Sequence, residues 1–180
     1  MISMIRWLIV VAFLSVGIHL ASVGLAPSLI MWRVMSVIGS GKHDSIQFSD
    51  RPTAAARGVV RPSPDLLYST CVFDVSKIPL KIVTAAPTDT YWSVAFYADN
   101  TDNFYVLNDH QANGHPATIM LIGQGQSLPP QPQGTIVVSA PSLTGLVLFR
   151  TLINDDARLT EIDQQRRLAK CDPMLPNQYR

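Results

Sequence analysis

The densest run of chemically capable side chains is Asn108-Asp109-His110-Gln111-Ala112-Asn113-Gly114-His115. Asp109, His110 and His115 are types that ligate metals, and an imidazole beside a carboxylate can move protons. The spacing does not press that reading. The interval from His110 to His115 is not a zinc-ligand spacing, and a stretch rich in Asn, Asp and Gly after a strand is normally a turn. The three are carried forward only as a candidate polar site. Asp99, Asp102 and Asp109 bracket a strand end, where paired carboxylates could serve acid–base chemistry, but Asn100, Asp102 and Asn103 also read as hairpin residues. A calcium loop would need denser alternating acids. Ser69, Ser93 and Ser139 fall inside strand-like runs, and no G-x-S-x-G, phosphate loop or dinucleotide fingerprint occurs. Asp65 and Tyr68 could line a pocket, although turn formation and edge packing account for them more simply. No catalytic, cofactor-binding or metal-binding residue is assigned, and the reading leans away from an enzyme.

The elements that would position these residues are strands. Leu67–Val75, Leu80–Thr84, Tyr91–Ala98, Phe104–Leu107, Thr118–Ile122, Thr135–Ser139 and Leu146–Leu152 are rich in Val, Ile, Thr and aromatics and bounded by Pro, Gly, Asn or Asp. Short strands at close spacing predict a mainly β sandwich or barrel. Alternation sends Trp92, Val94 and Phe96 to one face and Tyr91, Ser93, Ala95 and Tyr97 to the other. The first face is core. The tyrosine face is either a binding surface or the seat of a second packed sheet. A short C-terminal helix is expected, capped by Thr160, with Glu161–Lys170 as its body and only Ile162, Leu168 and Ala169 able to face a core. Gln124–Gly134 is a loop.

Ahead of the strands lies an uninterrupted apolar run, Trp7–Leu25, without an acid, lysine or arginine. At about 1.5 Å per residue it reaches roughly across the ~30 Å hydrocarbon core of a bilayer. A retained membrane anchor and a cleaved signal peptide both fit, and the length favours the anchor. Gly17, Ala21 and Gly24 form a small-residue stripe of the kind that lets membrane helices approach closely. His19, with Ser15 and Ser22, marks a roughly opposite polar face, and a histidine at that depth calls for a partner. Pro27 is placed to open a new helix. Trp32 and Arg33 follow where an interfacial aromatic and a snorkelling cation would sit. The division expected is an anchor with interfacial extension over 1–38, a linker or irregular arm over 39–64, and a β domain over 65–180. Lys and Arg flank the run on both sides, so charge alone does not orient it.

Net charge is +1 and charged residues make up 15% of the chain, with no basic patch dense enough for nucleic acid. Cys71 and Cys171 are either two thiols or, in an exported domain, a disulfide. Paired, they would close a loop of about 100 residues and contribute up to about 4.7 kcal/mol in the chain-entropy view.

The stretch Ser63–His110 carries a P-D-x-L-Y opening, a D-V-S-K-x-P turn, a Y-W-S strand start and a D-N-F-Y-V-L-N-D strand end. These resemble the domain of unknown function 1254 family, and Arg150–Pro173 looks like the tail of its short membrane-anchored branch. The resemblance implies a jelly-roll-like β-sandwich and pairing with a domain of unknown function 1214 protein, a domain for which this chain has no room. It supplies no catalytic residues. The expectation is a single-pass protein of a bacterial inner membrane with its domain on the periplasmic side. It would act as a non-catalytic assembly or accessory subunit, with lipid and another membrane protein or the paired protein as partners. A ligand-binding or enzymatic domain completed by its partner is the alternative.

Overall fold

The computed structural model describes residues 2–39, 41–57, 61–87 and 89–174. Helix α1 spans Ile2–Gly39 and is followed by strands β1 (Ile46–Phe48), β2 (Leu66–Asp74), β3 (Leu80–Val83), β4 (Trp92–Ala98), β5 (Asn103–Asn108), β6 (Thr118–Ile122), β7 (Ile136–Ser139) and β8 (Thr144–Leu152). A single 3-10 turn (Asp156–Arg158), helix α2 (Leu159–Arg166) and strand β9 (Lys170–Pro173) complete the order. The fold is mainly β. One sheet has the order β1-β2-β8-β4-β5 and the other β7-β6-β3-β9. All pairings are antiparallel except β6 with β7.

Period-two alternation builds the core. Phe73, Phe96 and Phe149 from the five-stranded sheet cluster with Ile82, Leu121 and Val138 from the four-stranded one. Trp92, Val94 and Phe96 are buried in the core, as their alternation required, and Ser93 and Ala95 on the opposite face of β4 are buried too. Gly145 makes the closest approach. A Cβ there would stand 2.2 Å from the Tyr97 carbonyl oxygen and 2.5 Å from Phe73 Cζ, so only glycine lets β8 run this close to both.

Two cross-links fasten the last segment to the early strands. Cys71 on β2 and Cys171 on β9 form a buried disulfide with Cα atoms 6.6 Å apart, joining one sheet to the other. Arg166, only 3% exposed, donates to the carbonyls of Tyr68 (2.8 Å) and Ser49 (2.7 Å), to Ser69 Oγ (2.9 Å) and to Asp163 Oδ1 (2.7 Å). Its guanidinium lies 5.6 Å from the centre of the Phe48 ring, with Arg167 5.2 Å from the same centre. One side chain thus ties α2, β2 and the strand that precedes it.

Several expectations need correction. Pro27 does not open a new helix; α1 runs through it without a break. The segment expected to be a linker or irregular arm contributes β1, paired along β2 as Ile46↔Cys71 and Phe48↔Ser69. Thr160 does not cap α2. Asp155 caps the preceding turn through Ala157 N, and the residue before α2 makes no side-chain cap. The helix stops at Arg166, so Lys170 belongs to β9. Leu168 points to solvent, and Arg166 takes the buried place beside Ile162. The proline-containing tail beyond Met174 falls outside the described residues.

Gly145→Ala should cost more than the roughly 1–3 kcal/mol of ordinary overpacking, because one clashing atom is backbone and the other a fixed core ring. A large fall in the thermal midpoint, or loss of folded protein, is the expected reading. Asp163 gives a second test. Burial pushes its carboxyl up, but hydrogen bonds and charge from Arg167 and Arg166 outweigh this and hold it below the usual 3.8. A depressed folded value stabilises above the unfolded value and is lost as the pH falls through the folded one. Asp163→Asn should therefore lower the urea midpoint at neutral pH, and the two proteins should converge only as the pH drops below 3.8.

Candidate functional site

Two features could carry function: the junction between α1 and the five-stranded sheet, and a polar cleft at the far end of β4. From Ser3 to Leu25 the helix is exposed throughout. Cover begins at Ala26 and Pro27, which are half-buried. Met31 is then buried against Val72 and Leu146, with Val34, Met35, Ile38 and Tyr97 packed around it. Pro27, Met31, Val34, Met35 and Ile38 recur at helical spacing, so one face of the last three turns meets the sheet. The seat is a single rung, since Val72 pairs with Leu146 and Leu146 with Tyr97 across three strands. The tyrosine face of β4 is therefore covered, at Tyr97, by the N-terminal helix rather than by a second sheet.

The end of the helix is stitched down as well. A Cβ on Gly39 would stand 3.0 Å from Val72 Cγ2, so the backbone passes close over β2. Asp44 N donates to Val72 O (2.8 Å), and Asp74 N donates to Asp44 Oδ1 (2.9 Å). Burial pushes the Asp44 carboxyl above its ordinary value, with the nearby Asp74 charge adding to the effect and its backbone hydrogen bond opposing it.

Outside the seat the helix is exposed along its length among the described residues. Ser3–Gly39 is long and apolar enough to cross a membrane. Gly17 and Gly24 have nothing within 4 Å of where a Cβ would stand. Gly17 and Ala21 line a shallow apolar groove with Val10, Phe13, Leu14 and Ile18. His19 is exposed on the same bare stretch. These are the residues expected to pack against another membrane helix, and they stand on uncovered surface.

The Asn108–His115 run is a turn held by its own backbone. Asn108 and Gln111 exchange hydrogen bonds (3.0 and 3.1 Å), and Gly114 N donates to Asp109 O (2.9 Å). His110 Nε2 lies 4.0 Å from Asp109 Oδ2 but the ring is almost wholly exposed, and His115 is exposed too. Among the described residues no three His, Cys, Asp or Glu side chains are grouped to hold a metal ion. Asp109 turns instead towards a cleft of about 490 Å³ lined by Pro87, Asp89, Thr90, Tyr91, Trp92 and Gly114. Its Oδ1 is buried without a hydrogen-bond partner among the described residues. The β3–β4 connection shapes the other wall: Asp89 sits at φ 60°, its carbonyl accepts from Asn154 Nδ2 (2.6 Å), and Thr90 Oγ1 donates to Leu152 O (2.7 Å). Asp89 and Thr90 were not singled out from the sequence. Asp99 and Asp102 belong to the β4–β5 hairpin, where Asn100 bonds Asp102 (2.7 Å), and do not join Asp109. Tyr68 and Asp65 have turn roles: Ser63 N donates to the Tyr68 hydroxyl (3.0 Å) and Asp65 N to Ser63 Oγ (3.3 Å).

Among curated proteins none matches the chain. Among solved structures it is similar to the VPA0106 protein from Vibrio parahaemolyticus, with a TM-score of 0.64 at 12% identity. That match covers 85% of this chain and 38% of the other, so the chain spans well under half of the solved relative's length. An uncharacterised protein from Burkholderia cenocepacia gives a TM-score of 0.49 at 11% identity, over 75% of this chain and 35% of that one. Residues 44–173 match the family described as protein of unknown function (DUF1254), from just before β1 to the end of β9. With that match over most of its length, the chain belongs to the DUF1254 family.

Proposed function

We propose that this protein is a single-pass membrane subunit with a non-catalytic, assembly or accessory role in an envelope complex, of the short anchored branch of its family. In this reading the two sheets form a jelly-roll-like sandwich on the periplasmic side of a bacterial inner membrane. One observation carries it: the bare apolar helix continues without a break into turns that are packed on the sheet. The uncharged apolar run Trp7–Leu25 is also longer than the roughly 7–15-residue apolar core of a cleaved signal sequence. The buried Cys71–Cys171 bond supports an oxidising compartment. Gly17, Ala21, Gly24 and His19, on the exposed stretch of the helix, support a second membrane helix as partner. A separate domain of unknown function 1214 protein is the soluble partner proposed.

The cleft supports a second reading. A buried carboxylate oxygen without a partner beside Tyr91 and Trp92 suits a ligand-binding or enzymatic site completed by that paired protein. The two readings separate in one experiment. Extraction of the full chain from native membranes in mild detergent, followed by size analysis, should give a particle larger than the monomer with a second protein in fixed ratio. A lone monomer under all conditions counts against both. A complex that retains a small molecule, lost in Asp109→Asn, favours the second. Protease added outside spheroplasts should digest the domain, and a protected domain reverses the orientation.

A further inference from the structure

We infer that the β domain rests directly on the membrane surface, its α1 seat lying at the headgroup level, with the outer side of the seated turns facing the boundary between headgroups and acyl chains. This rests on the anchor reading above and goes beyond it, since an anchored domain can equally stand clear of the bilayer on a spacer.

The helix carries its own ruler. Arg6-Trp7 lies near one end of the apolar rod and Trp32-Arg33 near the other, and α1 is unbroken between them. At about 1.5 Å per residue the two tryptophans are about 37 Å apart along the axis. A hydrocarbon core of about 30 Å with headgroup layers reaching about 40–45 Å places both rings in the two interfaces, where tryptophan concentrates. The arginines then lie just beyond, at the phosphates.

Trp32 follows Met31, the most deeply buried of the α1 side chains in the seat. If Trp32 marks the interface, Met31 and the Val72–Leu146–Tyr97 rung sit at the same depth, with no room for a spacer. The far side of the seated turns agrees: Leu29, Ile30, Trp32 and Val37 are all more than half exposed although they belong to the packed segment. A helix clear of the membrane and packed on a domain by one face would be polar on the other. Here that face is mostly apolar, Ser36 on it turning its hydroxyl back to the Trp32 carbonyl (2.7 Å), and Arg33 is placed to reach the phosphates.

The chain has three tryptophans, and Trp92 is buried in the β core, so two variants each leave one α1 tryptophan to be read over the same Trp92 background. Full-length Trp7→Phe and Trp32→Phe proteins are reconstituted at high dilution in phosphatidylcholine vesicles brominated either just below the headgroup or near the chain end. Both should lose emission to the shallow bromines more than to the deep ones, and resist aqueous iodide. If Trp32→Phe, which reports Trp7, is quenched by neither lipid, the anchor reading itself fails. If Trp7 is quenched but Trp7→Phe, which reports Trp32, is quenched by iodide, the anchor stands and the seating is wrong. Shielding of Trp32 from both lipid and iodide means that a second copy covers it, which also overturns the proposal.

Discussion

The rung Val72–Leu146–Tyr97 is where an apolar rod and a two-sheet domain become one body, and the orientation of each against the other follows from it. The physical cause is burial. An apolar side chain removed from water contributes about 1.5–3 kcal/mol, and Met31 with its seat supplies several such groups at once. The outer face of an antiparallel sheet is ordinarily solvated and polar. On this sheet Thr70 on β2, and Arg150 paired with Ser93 across β8 and β4, are polar, although Thr70 and Ser93 are buried, whereas the rung under α1 is apolar. The local change in pattern exists because the helix covers it. A flexible linker would have left Val72, Leu146 and Tyr97 exposed for no gain.

The same constraint explains the stapling at the opposite end of the chain. Any force transmitted by the helix arrives on β2, the strand under Gly39 and Asp44. β2 carries Cys71 as well as the Tyr68 carbonyl and Ser69 hydroxyl that Arg166 holds. The disulfide links β2 to the second sheet, and the arginine links it to α2 and to the chain beside β1. A buried arginine is costly unless its donors are satisfied, and here they are met by two backbone carbonyls, a hydroxyl and the Asp163 carboxylate. Held this way on three elements, it acts as a fastener.

Much of the strand pattern was legible in the sequence. β2, β4, β6 and β8 are rich in Val, Ile, Leu, Thr and aromatics and are bounded by turn residues, so their own side chains specify them. β1 and β9 were not legible, because strands this short exist through their partners: Ile46 pairs with Cys71, and Cys171 with Ile82. Pro27 misled for a related reason. Its missing N–H ordinarily kinks or breaks a helix interior, but α1 is packed on the sheet just beyond it, through Met31, and runs on unbroken. Arg166 was invisible because a polar helix gives no sign that one of its cations turns inward. At the candidate site, Asp109 was singled out but its wall was not. Asp89 and Thr90 come from the turn before β4, and only the pairing of β4 with β5 and β8 brings them to the same end as Asp109.

That pairing also decides how the two features relate. The cleft gathers at Trp92, the first residue of β4, and the helix seat at Tyr97, near its last. At about 3.3 Å per residue the two are roughly 17 Å apart along one strand. Neither obstructs the other, and a rigid strand links them. A partner reaching the cleft would meet a surface whose distance from the seat is set by β4, and whose distance from the span is set by an unbroken helix. The spacing of cleft, seat and apolar rod is therefore built into covalent and packed structure instead of being left to a flexible tether.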